Sequence, residues 1–500
     1  MDFDLQATLL AYERTLRSDP HNVPALCEIG KALNQLKRPQ EARKCYKAAV
    51  EAFKRAIRTG DAEAALSMET SIYIAFVRTV EDENHYYRCF SDWRDDMAKL
   101  GRRFRNEQPA AGNANRIAFY LHTGFMLGHT EVMFKMLENI PRERRENLVL
   151  RIYVLTKFDQ MFLDRAQKIG VEVVLLATCV PGGHSSRWVD RYCYLRDHLR
   201  HDGMGVCIWV SSPDLAAFAL SMRLAPVQIF WALRFHAIAG PFIDGYITYG
   251  AKHDLTQVFG KQEWRVCPVP LAIDASPVAD VAQAELRAYF PEKFLLGTLA
   301  REDKINSAPF LACVAKILQQ NPAAGFIWTG QSRHAGIERY FHEAGVGERC
   351  HFAGWVDTRL YASTLDLFLE TFPLGCGITG YQALGAATPL LSYFAPNTVF
   401  GMQFWHEFPG TAASGRAVSD DVLSKYPVLC AKDAEHYVAL AHRLIDDPAF
   451  RGAVGAAGKR FFDDEIGNAG YYSGRFLDTI AEIARTTLGA RSNATTSTSS

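Results

Sequence analysis

From residue 116 onward, short apolar segments alternate with helical ones, and this alternation constrains the fold more than any other feature of the sequence. It is typical of parallel strands whose two faces are both covered by helices. The pattern occurs twice, and the second series begins near residue 293. We therefore predict an α/β fold with two successive doubly wound domains and a ligand cleft between them. The apolar segments are residues 116–121, 149–155, 171–176, 205–210, 227–231 and 245–248, then 294–299, 325–330, 350–355, 366–370 and 389–393.

The chain has 500 residues, which is more than one ordinary hydrophobic core holds, so we expect several domains. The first hundred residues have helical periodicity and few apolar runs of the strand type, and the last eleven are polar and of low complexity. The predicted domains are an all-α helical-repeat domain at 1–110, a first Rossmann-like domain at 113–270, a second at 271–485, and a disordered tail at 486–500.

Residues 23–53 resemble a tetratricopeptide unit, in which small residues let two antiparallel helices approach and an aromatic side chain fills the groove. Gly30 lies on the first of these helices and Tyr46 on the second. Residues 8–20 resemble the second helix of a similar unit, with Tyr12 and Pro20 in register at a period of about 34 residues. A helical bundle without repeats is the alternative that the sequence leaves open.

Composition removes several classes of function. The formal net charge is zero and the pI is about 7.2, which gives no electrostatic basis for binding nucleic acid. The eleven cysteines include no C-x-x-C pair, so we expect reduced thiols rather than zinc sites or disulfides. The acidic N-terminus lacks the basic region of a signal peptide, and the apolar run 215–233 carries Arg223 and Pro226, so we read it as a buried helix plus strand. These features predict a cytoplasmic protein with no membrane span.

The second series contains two features that suit a phosphate. PLGCGITG (373–380) joins a strand to a helix, and such glycine-rich turns bring backbone N–H groups and a helix N-terminus against phosphates. Lys304 follows the strand FLLGTL (294–299), at the ligand-facing end of a parallel sheet, where it could neutralise a diphosphate leaving group. A flexible turn and a solvated surface lysine are the alternatives.

These residues resemble the GT-B glycosyltransferases, and among them glycosyltransferase family 41, which includes protein O-GlcNAc transferases and bacterial cytoplasmic N-glycosyltransferases of adhesins. The resemblance covers about residues 113 to 465, and helical repeats ahead of it suit the O-GlcNAc branch. It rests on REDKINSAPFLACVAKILQQNP (301–322), CHFAGWVD (350–357) and DLFLETFPLGCGITGYQALGAATPLL (366–391). It implies the GT-B fold, an activity as a glycosyltransferase, and a sugar nucleotide as donor.

The resemblance also implies roles for particular residues on the donor side. Lys304 would hold the diphosphate, and the nucleobase would lie near 328–333 and 353–357, with Gln331 as a helper. Gln382 stands where many GT-B enzymes carry an acid toward the ribose, and its neutral amide makes a weaker contact. For Trp328 and Trp355, a place in the core is the favoured interpretation. The distal phosphate would be held by the loop of Gly377, Ile378, Thr379 and Gly380, through backbone N–H groups and the threonine hydroxyl.

Two histidines are candidates for the reacting centre, because family members have a histidine in the loop that corresponds to residues 121–137. His129 is the preferred candidate and His236, in the segment 225–248, is the second. A neutral imidazole there could orient the acceptor or act as a base. For each, a helix-cap or packing role is the alternative. His184, in a second glycine loop, has no assigned role.

The expected reaction is inverting and independent of metal ions. No D-x-D motif stands out, and Leu374 and Gln382 occupy the places of the paired glutamates of retaining GT-B enzymes. The donor would be UDP-glucose or UDP-N-acetylglucosamine, with no cofactor. The acceptor would be an asparagine or a serine or threonine of a protein, such as an adhesin before export. The alternatives are a GT-B transferase with another nucleotide sugar and a glycan or lipid acceptor, and a non-catalytic helical-repeat scaffold.

Overall fold

A computed structural model describes most of the chain. The described residues are 2–36, 38–76, 93–106, 112–210, 213–233, 238–248, 256–259, 262–267, 278–375, 377–393, 408–409 and 418–497. They divide into two compact units, of which the first comprises residues 1–249, 254–267 and 473–500, and the second comprises 250–253 and 268–472.

The N-terminal region is helical, as predicted, and is consistent with a tetratricopeptide-like domain. Its helices α2 and α3 pack directly, because a Cβ atom on Gly30 would lie only 2.3 Å from Cε1 of the buried Tyr46. Asn22 caps the N-terminus of α2 through Ala25, and Gly60, with φ of 78°, ends α3. The helices are α1 (Asp2–Ser18), α2 (Val23–Gln35), α3 (Pro39–Thr59), α4 (Ala62–Phe76) and α5 (described over 93–102).

The first unit also contains an eight-stranded sheet in the order β3-β2-β1-β4-β5-β6-β8-β7, parallel except that β7 runs antiparallel to β8. Its strands are β1 (Asn113–Leu121), β2 (Val149–Val154), β3 (Glu172–Leu175), β4 (Met204–Trp209), β5 (Val227–Ala232), β6 (Gly245–Thr248), β7 (Thr256–Phe259) and β8 (Gln262–Val266). The order 3-2-1-4-5-6 is that of a Rossmann domain. The helices between them are α6 (Gly128–Glu138), α7 (Arg142–Arg145), α8 (Gln160–Lys168), α9 (Leu176–Cys179), α10 (Trp188–His201) and α11 (Ala216–Ser221).

The second unit contains a six-stranded parallel sheet with the same relative order, β11-β10-β9-β12-β13-β14. Its strands are β9 (Phe294–Thr298), β10 (Ala324–Thr329), β11 (Cys350–Gly354), β12 (Leu367–Leu369), β13 (Leu390–Tyr393) and β14 (Leu429–Ala431). Its helices are α12 (Asp280–Ala288), α13 (Glu302–Ile305), α14 (Ala308–Gln320), α15 (Ala335–Glu343), α16 (Thr358–Thr364), α17 (Ile378–Gly385), α18 (Asp420–Lys425), α19 (Ala434–Asp446) and α20 (Pro448–Phe461).

Most strands of the second sheet are buried along their whole length, which explains why they are continuous apolar runs rather than alternating ones. This holds for β9, β10, β12 and β14, whereas the edge strand β11 is half-buried. In β10 every residue is buried. Phe326 and Trp328 enter the core on one face, and Ile327 enters the core on the other. The two predicted doubly wound domains are therefore present.

The sequence predicted that the second domain extends to residue 485 and that a disordered tail follows it. The structure instead has one helix, α21 (Ala469–Ser497), across this boundary. Residues 473–500 belong with the first unit. Phe476 packs against Trp231 with ring centroids 4.4 Å apart, and a Cβ atom on Gly245 would lie 2.5 Å from Ile483. Helically spaced apolar residues such as Phe476, Ile480 and Ile483 drive this docking, because it buries all three.

The apolar run 215–233 forms α11 and β5, both buried, as the sequence predicts. The guanidinium of Arg223 forms an ion pair with the carboxylate of Asp244 at 2.5 Å, so the charge within this run is compensated inside the protein. No helix in the described part of the chain is long and apolar enough to cross a membrane.

Candidate functional site

The strand order of the second sheet fixes where a ligand can bind. β9 pairs with β10 on one side and with β12 on the other, so the connections after β9 and β12 leave in opposite directions. In doubly wound sheets this switch point opens a crevice at the carboxyl ends of the two strands. The loop after β9 carries Lys304, and the loop after β12 carries the glycine-rich turn.

Lys304 joins the two sides of this switch point. It lies on the short helix α13, and its Nζ atom donates a hydrogen bond of 2.6 Å to the backbone oxygen of Gly375. A Cβ atom on Gly375 would lie 2.7 Å from Oε1 of Glu370, so the turn passes close to that carboxylate. The structure therefore places a lysine beside the turn that leads into α17.

The glycine-rich turn ends in the N-terminus of α17. Gly377, the N-cap residue, has φ of 73°, a value that favours glycine. The hydroxyl of Thr379 donates to the backbone oxygen of Leu299 at 2.6 Å, which ties α17 to the end of β9. That hydroxyl proton is therefore engaged by the protein, in contrast to its predicted contact with a phosphate. The first N–H groups of a helix have no partner within the helix, and at the start of α17 these are the N–H groups of Ile378 and Thr379. The N–H of Gly380 donates to the backbone oxygen of Gly377 at 3.1 Å.

Gln382 lies one turn into α17 and is half-buried. Within the described part of the chain, its Oε1 atom is buried and has no hydrogen-bond partner. A buried carbonyl oxygen without a donor is costly, so this atom is suited to accept a hydrogen bond from a ligand. Next to it, burial and then Glu370 raise the pKa of Tyr381.

The loops after β10 and β11 are tied to the loop that carries Lys304. The hydroxyl of Thr329 bonds the backbone of Ala300, and Oε2 of Glu302 accepts the backbone N–H of Gln331 at 3.0 Å. The backbone N–H of Gly330 donates to the oxygen of Gly354 at 3.3 Å. The carboxyl ends of β9, β10 and β11 therefore form one hydrogen-bonded edge.

The two tryptophans near this edge differ. Trp328 is 1% exposed and belongs to the core, as interpreted from the sequence. Trp355 is 79% exposed, so the same interpretation is wrong for it. It follows Gly354, whose φ of 77° turns the chain out of β11. Gln331 is also exposed, on the neighbouring loop.

Sequence reasoning missed two carboxylates at this edge. Glu302 holds the loop that carries Gln331, and Glu370 accepts a hydrogen bond of 2.5 Å from the hydroxyl of Ser392 while lying beside Gly375. Their signal is positional, since Glu370 directly follows β12 and Glu302 is two residues before Lys304. Among the described residues, no cluster of three or more His, Cys, Asp or Glu side chains could hold a metal ion.

The histidine candidates lie in the first unit. His129 lies in the first turn of α6 and is only 9% exposed. The N-terminus of this helix is capped by Thr130, whose hydroxyl oxygen accepts the N–H of Leu127. His122, directly after β1, packs edge-on against Trp188 at 5.5 Å between centroids. His236 lies outside the described residues. The backbone oxygen of His184 accepts a hydrogen bond from Arg191.

Neither the family models nor the curated proteins contain a match to this sequence. Solved structures do match. An O-GlcNAc transferase variant from Thermobaculum terrenum matches over 98% of this chain and 96% of its own, with 16% identity and a TM-score of 0.59.

Two shorter structures match as well. The Anabaena protein HepE in complex with UDP covers 73% of this chain and 100% of its own, with 11% identity and a TM-score of 0.52. A glycosyltransferase from Rickettsia africae covers 75% and 98%, with 8% identity and a TM-score of 0.50. Together with the two sheets in Rossmann order, these similarities confirm the predicted fold class: the chain has the GT-B fold of the glycosyltransferases, preceded by a helical N-terminal region.

Proposed function

We propose that this protein is a glycosyltransferase that takes its sugar from a UDP-sugar bound at the carboxyl edge of the second sheet. The observation that carries the proposal is the contact of Lys304 with Gly375, which sets a lysine against the N-terminal end of α17 at the switch point. Further support comes from similar structures whose names include an O-GlcNAc transferase and a complex with UDP.

In this proposal, different residues of the edge bind different parts of the nucleotide. Lys304 and the first-turn N–H groups of α17 would neutralise the diphosphate. The unpartnered oxygen of Gln382 would accept a hydrogen bond from a ribose hydroxyl. Strands are 4.7–4.9 Å apart, so the end of β11 lies about 10 Å from that of β9. That separation suits a nucleoside that extends from its diphosphate toward the loop of Trp355 and Gln331.

The proposed reaction is a direct displacement with inversion. A nucleophile of the acceptor forms a bond to C1 of the sugar, the bond from C1 to the phosphate oxygen breaks, and UDP leaves with the electron pair. The acceptor gives up its proton to a base, for which His129 is the candidate within the described residues and His236 the second. Lys304 and α17 supply positive charge to the leaving diphosphate, so we propose that no metal ion is needed.

The acceptor in this proposal is a protein, modified on asparagine or on serine or threonine. Support comes from the helical region and from the O-GlcNAc transferase that matches along almost the whole chain. UDP-glucose and UDP-N-acetylglucosamine are the proposed donors. A cytoplasmic location, and an adhesin or other surface protein before export as acceptor, stay predictions from the sequence resemblance.

The test is calorimetric titration of UDP, ADP and GDP into the protein and into two lysine variants. Lys304→Ala is expected to abolish UDP binding, because it removes the cation beside the diphosphate. Lys293→Ala is the matched control, since Lys293 is exposed and precedes β9 at the opposite end of the same strand. Unchanged UDP binding in Lys304→Ala, or selective binding of ADP or GDP, would contradict the proposal.

One observation favours a second candidate. The neutral Gln382 replaces an acid in the pattern of many GT-B enzymes, which suits a scaffold that binds a nucleotide without transferring a sugar. Incubation with a panel of UDP-sugars and acceptor proteins, followed by mass spectrometry, separates the two. A mass increase of one sugar supports the transferase, and UDP binding without any mass increase supports the scaffold.

A further inference from the structure

Two glutamates of the helical region contact the ligand-binding edge of the first sheet. Both lie on α4. The carboxylate of Glu63 accepts the backbone N–H groups of Trp188 and Val189, at 2.9 and 3.0 Å. The carboxyl group of Glu69 accepts the backbone N–H of Leu215 at 3.1 Å. Each contact is made at the start of a helix, α10 for Glu63 and α11 for Glu69.

The position of these two helix starts in the sheet determines what the contacts can do. In a doubly wound sheet, the helices begin at the carboxyl ends of the strands they follow, which is the edge where ligands bind. α10 follows β3, and α11 follows β4, which lies next to β1 at the switch point of the first sheet. α4 therefore reaches the edge at which a GT-B enzyme of the proposed function would present its acceptor.

Glu69 holds a backbone conformation that needs support. Leu215 has φ of 66°, a left-handed value that is unfavourable for a residue with a side chain. The Glu69 side chain is fully buried, and its other oxygen accepts the indole N–H of Trp93 in α5 at 3.2 Å. Two helices of the N-terminal region thus fix the chain at the point where it enters α11.

Glu63 acts through the first turn of α10. Trp188, whose N–H it accepts, packs against His122 after β1. The buried Arg191, one turn further on, donates to the backbone oxygens of His184 and Ser186 at 2.7 and 3.0 Å. The loops after β1 and β3 are therefore both tied to a helix start that Glu63 holds.

We propose that α4 is part of the acceptor side of the site, and that Glu63 and Glu69 are positioning residues for the loops after β3 and β4. The proposal rests on the proposed transfer function for its catalytic consequence. It means that the helical region does more than recruit an acceptor, because its side chains set the shape of the edge on which the acceptor would react.

The first test is hydrogen–deuterium exchange on the full chain, in Glu69→Gln, Glu63→Gln and a control, Glu51→Ala, whose glutamate is exposed on α3. An amide side chain retains the size of glutamate but loses one acceptor oxygen. Glu69→Gln is expected to speed exchange in the segment 213–221 by about 5- to 100-fold, and Glu63→Gln to do so in 187–191. Each variant should leave the other segment unchanged, and the control should leave both unchanged.

Exchange at the wild-type rate in both segments would overturn the proposal. Equally faster exchange of both segments in either variant would also overturn it, because that result indicates general destabilisation.

The second test measures transfer with each variant. Glutamine at either position is expected to lower kcat/KM for the acceptor by about 10- to 100-fold while the Kd for UDP stays unchanged. An unchanged kcat/KM in both variants would overturn the role in catalysis. If the wild-type protein does not bind UDP, the proposed function fails, whereas the exchange experiment still decides whether the glutamates position the two loops.

Discussion

At the scale of single residues, position along a strand decides what a side chain can do. Lys293 and Lys304 flank the same strand, yet only Lys304 lies at the carboxyl end, where it contacts Gly375. The direction of β9 is readable from the sequence, so the position of Lys304 could be predicted. The exposure of Trp355 could not, because it depends on the left-handed turn at Gly354 rather than on the apolar run itself.

A variant of Gln382 tests the proposed contact with the ribose separately from the contacts with the diphosphate. Its Oε1 atom is buried without a partner, and the proposed function supplies a hydroxyl donor there. Gln382→Ala should weaken UDP binding by about 10-fold, the worth of one hydrogen bond, and leave the binding of inorganic pyrophosphate unchanged. Calorimetry with both ligands measures this. An equal loss for pyrophosphate would show that the variant disturbs the diphosphate site instead.

Glu69 gives a prediction about pH. Burial, and then the neighbouring Asp214, raise the pKa of this carboxyl group to about 8 from its usual 4.5, and Tyr192 also lies within its electrostatic reach. The folded protein therefore binds a proton that the unfolded chain releases between these values. Stability from this group is full below pH 4.5 and is lost as the pH rises toward 8.

Glu69→Gln should remove that dependence. Urea unfolding of the wild-type protein at pH 5, 7 and 9 is expected to show a fall in the free energy of unfolding on the order of a few kcal/mol. The variant, which has no titrating group at this position, should show a smaller fall over the same range. Parallel pH profiles for the two proteins would rule out Glu69 as the source.

At the scale of elements, the sequence predicted eleven of the described strands and missed β7, β8 and β14. The segment 294–299 corresponds to β9, and 325–330 to β10, within one residue at each end. β14 was missed, although its three buried residues pair with β13 and form the edge of the sheet. The docking of α21 was missed because its partners lie more than 200 residues earlier.

The contact between α2 and α3 can be tested with two glycines. Gly30→Ala places a methyl group against the Tyr46 ring and should cost about 1–3 kcal/mol of stability, although alanine favours helices. A Cβ atom on Gly452, inside α20, would have no neighbouring atom within 4 Å, so Gly452→Ala should gain about 0.5–1 kcal/mol. Thermal unfolding compares them, and stabilisation by both changes would refute close packing at Gly30.

At the scale of the whole molecule, the compact units of the structure do not coincide with the domains predicted from the sequence. The sequence separates a helical domain from the first α/β domain, yet both belong to one compact unit that also takes in residues 473–500. Contacts such as those of Glu63 and Glu69 join these parts, and no local pattern predicts them, because they depend on backbone N–H groups that every helix start possesses.

A variant in α21 tests this division. Phe476 is fully buried against Trp231, so Phe476→Ala should lower the stability of the first unit by about 3–5 kcal/mol. UDP binding by the second unit should persist, which calorimetry measures alongside unfolding of the first unit. Arg485→Ala, on the same helix but exposed, is the control. Loss of UDP binding in the folded Phe476 variant would show that α21 also supports the second unit.

The docking of α21 has a consequence for biosynthesis. Trp231 and Gly245 are made early, but the residues that cover them, Phe476 and Ile483, are translated more than 200 positions later. At typical translation rates this delay is on the order of tens of seconds. The apolar surface at Trp231 and Gly245 therefore stays uncovered while the second unit is translated, and exposed apolar surface of this kind favours aggregation.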